Sequence, residues 1–206
     1  MPELLGFTYR FEEVDPSHRT MLLLHGTGAD ENDLIPLGRA LDPQANLLSP
    51  RGKVVENGAN RFFRRFEEGV LDVEDLKNRT HELADFIAAA CKEHAWDEAS
   101  VIAVGFSNGA NIAASTLLLH PQTLQAAILL RAMYPFEPDE QPDLQRKRVF
   151  MASGRQDPLI DPEEPERLAN MLRDAGAEVT LTWSPGGHGL DNADLEGALS
   201  WLRALP

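Results

Sequence analysis

The chain of 206 residues is 43% hydrophobic and 25% charged, which is the ordinary balance of one globular domain over residues 1–206. Its formal net charge of −14 repels phosphate backbones and anionic lipid surfaces, so we expect no nucleic-acid partner. A single cysteine excludes an intrachain disulfide, the N-terminus does not resemble a signal peptide, and no apolar run reaches the roughly 20 residues of a bilayer span. We therefore expect a cytoplasmic protein with no membrane span.

Short apolar runs alternate with helical patterns along the chain. In chain order, the pattern predicts a strand over 20–24, a helix over 33–41 with Asn32 as a candidate N-cap, a strand over 46–49, and a long helix over 73–94 in which Cys91 is buried. It then predicts a strand over 101–105, a helix over 108–119, a strand over 126–130, a loop over 131–146, a strand over 149–153, a helix over 164–175, a strand over 179–183 and a helix over 191–205. This alternation indicates βαβ units around a mainly parallel sheet.

Residues 105–109, GFSNG, match the G-x-S-x-G pattern of a nucleophile elbow. The motif follows an apolar strand and opens a helix of small residues, which is the context that the elbow requires. The residues flanking the serine must be small so that strand and helix can approach each other across the turn. The pattern predicts Ser107 as a catalytic nucleophile, and the alternative is a structural serine in a tight turn.

A serine hydroxyl needs a neighbouring base to act as a nucleophile, and in this architecture the acid and the histidine follow the serine along the chain. Asp157 and His188 each lie just after a predicted strand, at the edge of the sheet where ligands gather. No histidine other than His188 follows residue 120, so His188 is the candidate base. Asp161 is the rival acid, and an aspartate before a proline is also a common turn former.

Attack by a serine on a carbonyl carbon also needs N–H donors aimed at the oxygen on which negative charge develops. One is expected from Asn108, the residue after the nucleophile, and the other from the loop that follows the first buried strand. That loop reads HGTGAD over 25–30, which predicts Thr27 as the second donor. A plain glycine-rich turn is the alternative, and His25 is expected to brace the loop.

Together these segments resemble the phospholipase/carboxylesterase branch of the α/β-hydrolase superfamily. The resemblance covers nearly the whole chain and is carried by LLLHGTGADENDLIPLGRAL, LLSPRG, ENGANRFFRRF, VGFSNGANIAAS, SGRQDP and GGHGL. FFRRF and GFSNGANIAAS are similar to small bacterial carboxylesterases of the methylhydroquinone-resistance hydrolase type. One segment departs from the pattern, since LRAMYP over 130–135 stands where relatives have a histidine-containing HHPM-like stretch.

The resemblance implies a compact, single-domain α/β-hydrolase fold with a mainly parallel sheet and helices on both faces. It also implies that Ser107, Asp157 and His188 form the catalytic triad, that there is no cofactor and no metal, and that a homodimer is plausible. The short segment between the strands over 126–130 and 149–153 leaves no room for a large cap domain, so we expect an open site.

Three arginines, Arg61, Arg64 and Arg65, interrupt an otherwise acidic chain. They either form a basic rim that attracts a carboxylate or phenolate of the substrate, or pair with Glu67, Glu68 and other surface acids. The candidate substrate-binding residues are Phe63, Arg64, Met133 and Leu159, although Phe63 also fits the core.

The expected activity is that of a serine carboxylesterase that cleaves small carboxylic esters through an acyl-enzyme on Ser107, so the expected partner is a small-molecule ester. The alternatives are a thioesterase or lysophospholipase acting at the same site, and a non-catalytic ligand-binding homologue. Dehalogenation is disfavoured, because dehalogenases on this fold resemble each other in using an aspartate nucleophile.

Overall fold

The computed structural model describes residues 1–205. Its strands are β1 (Glu3–Leu4), β2 (Phe7–Glu12), β3 (Thr20–Leu24), β4 (Asn46–Pro50), β5 (Val54–Glu56), β6 (Ala59–Arg61), β7 (Arg65–Glu67), β8 (Val70–Leu71), β9 (Val101–Phe106), β10 (Ala126–Leu130), β11 (Arg148–Gly154) and β12 (Glu178–Ser184). Its helices are α1 (Ile35–Leu41), α2 (Val73–His94), a short 3-10 helix (Glu98–Ser100), α3 (Asn108–Leu119), α4 (Glu163–Asp174) and α5 (Asn192–Arg203).

Eight strands form one sheet in the order β1-β2-β4-β3-β9-β10-β11-β12. The strands from β4 to β12 in that order are parallel, whereas β2 pairs antiparallel with β4 and β1 antiparallel with β2. The chain leaves β3 toward one edge of the sheet and returns through β9 toward the other. The strand order therefore reverses between β3 and β9, and a crevice opens beyond the carboxyl ends of strands at such a point.

The sheet is covered on both faces because its central strands are apolar on both faces. Leu22 and Leu24 belong to the hydrophobic core that contains residues of α2, α3 and α4, whereas Met21 and Leu23 belong to the core that contains residues of α1 and α5. Side chains alternate between the two faces of a strand, so a continuous apolar run requires helices on each side. The α/β fold predicted from the sequence, with a mostly parallel sheet, is confirmed.

Most of the predicted elements are present with bounds that differ by one or two residues. The prediction differs from the structure at the start of α1. The first helical residue is Ile35, and Leu34 occupies the N-cap position without a side-chain hydrogen bond. The predicted N-cap was wrong because the Asn32 side chain is used elsewhere. Its oxygen accepts from Arg10 and its amide nitrogen donates to Asp30 in the preceding turn.

The sequence pattern did not predict β1, β2 or two small hairpins, β5–β6 and β7–β8. The first hairpin turns at Asn57 and Gly58, both of which have positive φ. Asn-Gly is the strongest short-range signal for a two-residue hairpin turn, so this element was predictable. The second hairpin has an irregular register between Arg65 and Glu67 and pairs only short segments, which leave too little alternation to detect.

Residues 131–147 lie between β10 and β11 and belong entirely to the part of the chain that the structure describes. They contain no helix and no strand. No cap domain is inserted at this point, as the sequence predicted. Within the described part of the chain, no helix has both the length and the apolar character needed to cross a membrane.

Candidate active site

Ser107 lies between the last residue of β9 and the first residue of α3, with φ of 53° and ψ of −113°. This conformation is strained for a residue with a side chain and costs about 1–3 kcal/mol. Two glycines make the turn feasible. A β-carbon at Gly105 would overlap the backbone of Ala110, and a β-carbon at Gly109 would overlap the backbone oxygen of Leu24.

The structure places Ser107, His188 and Asp157 in one hydrogen-bonded chain. His188 Nε2 lies 2.9 Å from Ser107 Oγ, and His188 Nδ1 lies 2.8 Å from Asp157 Oδ2. The other carboxylate oxygen of Asp157 accepts a hydrogen bond of 2.8 Å from the backbone N–H of Leu159. The Asp157 side chain is only 2% exposed and that of His188 is 22% exposed. The imidazole therefore connects a buried carboxylate to a hydroxyl that faces the pocket.

The loops that carry Asp157 and His188 follow β11 and β12, which are neighbours in the sheet. They are bonded to each other, because the backbone N–H of Gln156 donates to the carbonyl of Gly186. Gly154 allows this approach, since a β-carbon there would overlap the carbonyl oxygens of Gly187 and Gly186.

Asp161, the rival acid, lies in the exposed turn before α4. Its carboxylate accepts a 3.0 Å hydrogen bond from the backbone N–H of Glu163, in the first turn of that helix. The Asp161 carboxylate is therefore bonded at the start of α4. Asp157 is the carboxylate that faces the imidazole.

Thr27 and Asn108 line the same pocket as Ser107 and His188. Asn108 is the first residue of α3, so its backbone N–H has no acceptor within the helix. The loop that carries Thr27 is tied to the first hairpin: Gly28 N–H donates to the carbonyl of Asn60, and Arg61 donates to the Thr27 hydroxyl at 2.6 Å. Both residues predicted to supply oxyanion donors thus line the pocket that contains Ser107.

His25 is buried and braces this loop. Its Nε2 accepts from the backbone N–H of Gly52, and its Nδ1 lies 2.7 Å from the carbonyl of Gly26. These two bonds require a neutral imidazole with the proton on Nδ1. Burial lowers the pKa of His25 below its usual value of 6.5, which agrees with that assignment.

Of the four predicted substrate-binding residues, Met133 and Leu159 line the pocket, whereas Phe63 and Arg64 do not. Phe63 is fully buried in the hydrophobic core and is not among the residues that line the pocket. The Arg64 side chain is 61% exposed and points to the start of α2, where it pairs with Asp72 and Asp75. Acids in the first turn of α2 attract it away from the site.

The other two arginines lie at the pocket and share one carboxylate. Arg61 is buried and its Nε lies 3.1 Å from Glu56, while Arg65 lies 3.9 Å from the same side chain. Neither pairs with Glu67 or Glu68 in the described residues. Burial, followed by the charge of Arg65, lowers the pKa of Arg61. Glu56 partly neutralises these arginines, which weakens the case for a basic rim.

Two further polar residues that the sequence reasoning did not select also line the pocket, Asn111 and Arg131. The Asn111 side chain accepts from the backbone N–H of Met133 and so holds the pocket wall. Arg131 is the first residue after β10, at the same edge of the sheet as the other site residues. That position after a strand was the signal that could have identified it.

The sequence and the fold both match known proteins along almost the entire chain. The phospholipase/carboxylesterase family matches residues 11–205. The protein MhqD of Bacillus subtilis (strain 168) is 48% identical over 191 residues, which cover 93% of this chain and 96% of MhqD. The structure of the Bacillus cereus carboxylesterase is 43% identical with a TM-score of 0.93, over 96% of this chain and 93% of that chain. A carboxylesterase from Mesorhizobium loti is 31% identical with a TM-score of 0.93, over 100% and 98% of the two chains.

The family match includes every loop described above, from the turn after β3 to the loop after β12. The similar structures extend over the same sheet and helices at high TM-scores. The chain therefore belongs to the phospholipase/carboxylesterase family of α/β-hydrolases and is a carboxylic ester hydrolase.

Proposed function

We propose that this chain hydrolyses small carboxylic esters through an acyl-enzyme on Ser107. The observation that supports this most directly is the chain of hydrogen bonds from Ser107 through His188 to Asp157. A serine hydroxyl is a weak nucleophile at neutral pH, and an imidazole nitrogen 2.9 Å away can accept its proton as attack proceeds. The buried carboxylate holds the imidazole with Nδ1 protonated and stabilises the imidazolium that forms.

In the first half of the reaction, Ser107 Oγ bonds to the ester carbonyl carbon while its proton passes to His188 Nε2. The carbonyl oxygen becomes an oxyanion, and the backbone N–H groups of Thr27 and Asn108 stabilise its charge. When the intermediate collapses, the bond to the alkoxy oxygen breaks and His188 returns the proton to the leaving alcohol.

In the second half, water attacks the acyl-enzyme and gives a proton to His188. The acyl–oxygen bond to Ser107 then breaks, the carboxylic acid leaves, and the proton returns to Ser107. The two half-reactions are balanced with the atoms of the ester, the water and these side chains alone.

The size of the pocket favours a short acyl group. The cavity beside Ser107 measures about 50 Å³, and its apolar lining is formed by Leu71, Met133, Leu159 and Ile160. A single water occupies roughly 10–15 Å³ on this scale, so the cavity holds about four waters. That space fits an acetyl or propionyl group, whereas a long acyl chain would extend over the surface. The site therefore favours small esters over lysophospholipids.

A series of p-nitrophenyl esters from acetate to decanoate tests the proposal. We expect kcat/KM to be highest for acetate or propionate and to fall as the chain lengthens. Ser107→Ala should lower kcat by at least about 10⁴-fold, because the nucleophile is lost and only binding and the oxyanion donors remain. A fluorophosphonate probe should add its mass to Ser107 alone.

Ser17→Ala is the matched control, since Ser17 is an exposed serine whose hydroxyl bonds only to the nearby Asp15. It should keep the wild-type kcat. Ester turnover by Ser107→Ala at the wild-type rate would exclude the proposed mechanism. A kcat/KM that is highest for the decanoate ester would be consistent with Ser107 as the nucleophile but would reject the preference for short acyl groups.

A further inference from the structure

Arg131 is an arginine buried completely beneath the loop that carries His188. Its relative exposure is 0%, and its guanidinium is bonded on every side. Nε donates to the carbonyl of Gly187 at 3.0 Å, and one terminal nitrogen donates to the carbonyl of Gly189 at 2.8 Å. These two carbonyls belong to the residues on either side of His188. One rigid, planar group therefore fixes the backbone before and after the imidazole.

The same guanidinium forms an ion pair with Asp194, whose side chain is 3% exposed. The two terminal nitrogens lie 3.1 Å and 2.6 Å from the two carboxylate oxygens, which is the bidentate arrangement that suits arginine. Asp194 lies in the first turn of α5 and also accepts from the backbone N–H of Asp191. Arg131 thus links the His188 loop to the start of a helix.

The backbone at Arg131 joins this link to the sheet. Its φ is 60°, a conformation that a residue with a side chain rarely adopts. Its N–H donates to the carbonyl of Ala152 in β11, and its side chain donates to the same carbonyl at 3.1 Å. The preceding residue, Leu130, accepts from the backbone N–H of Ser107 at 2.8 Å. The strands next to the serine and to the aspartate loop are thereby tied to the histidine loop.

Stability of the fold is by itself a weak explanation for this arrangement. A buried ion pair must overcome the cost of removing two charges from water, and well-packed apolar residues of similar volume are often as stabilising or more so. Apolar side chains would fill the space, but they could not hold the carbonyls of Gly187 and Gly189. What the charged pair adds is the fixed position of the loop.

We propose that Arg131, held by Asp194, is a positioning residue that sets the placement of the His188 imidazole between Ser107 and Asp157. The inference rests on the proposed function of these three residues. Arg131 does not touch the reacting atoms, since Gly187 and Gly189 transmit its effect to His188. A displacement of about 1 Å in a catalytic group lowers the rate by up to about 100-fold.

The double variant Arg131→Met/Asp194→Leu removes both charges together, so neither is left buried and unpaired. We expect it to fold and to show a kcat about 10- to 100-fold below wild type, with KM changed by less than about threefold. In a proton NMR spectrum, the downfield resonance of the His188 Nδ1–H bonded to Asp157 should broaden or disappear. A role in folding alone would change the melting temperature and leave this resonance and kcat unaltered.

The matched control is Arg39→Met/Glu12→Leu. Arg39 pairs with Glu12 and donates to the carbonyl of Ala45, so it also joins an acid to a backbone segment, but near the start of β4. This control should keep the wild-type kcat and the downfield resonance. Wild-type kcat in the Arg131→Met/Asp194→Leu variant, or a rise in KM with kcat unchanged, would overturn the proposal.

Arg131→Lys decides the matter if the double variant does not fold. A lysine keeps the charge opposite Asp194, but its compact ammonium cannot reach that carboxylate and both glycine carbonyls. We expect a folded protein with reduced kcat, and wild-type kcat would again overturn the proposal. Ser107→Ala distinguishes failure of the proposed function from failure of the positioning role of Arg131. If it remains active, the proposed function fails, whereas activity that requires Ser107 but not Arg131 rejects only the positioning role.

Discussion

Replacing Asp157 with asparagine should inactivate the site while leaving the fold intact. In the wild type, one carboxylate oxygen accepts from His188 Nδ1 at 2.8 Å and the other accepts from the N–H of Leu159 at 2.8 Å. Asparagine has only one oxygen. If that oxygen stays on Leu159, the amide NH₂ faces Nδ1, and the imidazole must carry its proton on Nε2. An Nε2–H cannot accept the proton of Ser107.

The opposite orientation of the amide does not restore the wild-type arrangement. It turns the NH₂ toward the N–H of Leu159, so two donors face each other in a site where the side chain of residue 157 is 2% exposed. Leaving a buried donor without a partner costs about 1–3 kcal/mol. The first orientation therefore predominates. We expect kcat to fall by about 10³- to 10⁴-fold, which corresponds to about 4–5.5 kcal/mol of transition-state stabilisation.

The assay is the hydrolysis of p-nitrophenyl acetate, with circular dichroism to show that each variant is folded. Asp161→Asn is the matched control, because Asp161 is exposed and an asparagine oxygen can still accept from Glu163 N–H. It should keep the wild-type kcat. Retention of more than about a tenth of the wild-type kcat by Asp157→Asn, or an equal loss of activity in Asp161→Asn, would contradict this prediction.

Three further predictions concern stability and reactivity. Gly109→Ala should lower the free energy of unfolding by more than about 3 kcal/mol in urea titrations, because its β-carbon would overlap the carbonyl of Leu24; wild-type stability would contradict this. Burial raises the pKa of the Cys91 thiol to about 12, so Ellman's reagent at about pH 8 should react only after unfolding, and rapid reaction with the native protein would contradict its burial. Burial lowers the pKa of His25, so the unfolded state binds the proton first as pH falls below 6.5 and stability decreases there. His25→Gln should make this decrease shallower in urea titrations between about pH 7.5 and pH 5, and an unchanged slope would refute the assignment.

The sequence predicted the elements of the sheet and the edge at which the site lies. Apolar runs such as residues 20–24 and 126–130 match observed strands residue for residue, because a strand buried on both faces leaves a continuous apolar signal. Ser107 is recognisable for a related reason. Both glycines around it fall within one five-residue motif, although Gly105 is required by contact with Ala110 and Gly109 by the close approach of Leu24 from β3.

The directions of the pocket side chains depend on contacts between distant segments. Arg61, Arg64 and Arg65 are almost adjacent in sequence, yet Arg61 turns to Thr27, Arg64 to the start of α2, and Arg65 to Glu56. No local pattern distinguishes them, since their partners lie elsewhere in the chain. Phe63 was assigned to the pocket for the same reason and lies in the core.

The sequence by itself determined which residues could carry the chemistry, because strand ends and glycine turns are local properties. Only the tertiary structure shows which of Asp157 and Asp161 contacts an imidazole, since Asp157 meets one that lies 31 positions away in the chain. It also revealed Arg131, whose partners Gly187, Gly189 and Asp194 come from other elements. A buried charge is stable only where such distant groups converge on it, and that convergence exists only in the folded chain.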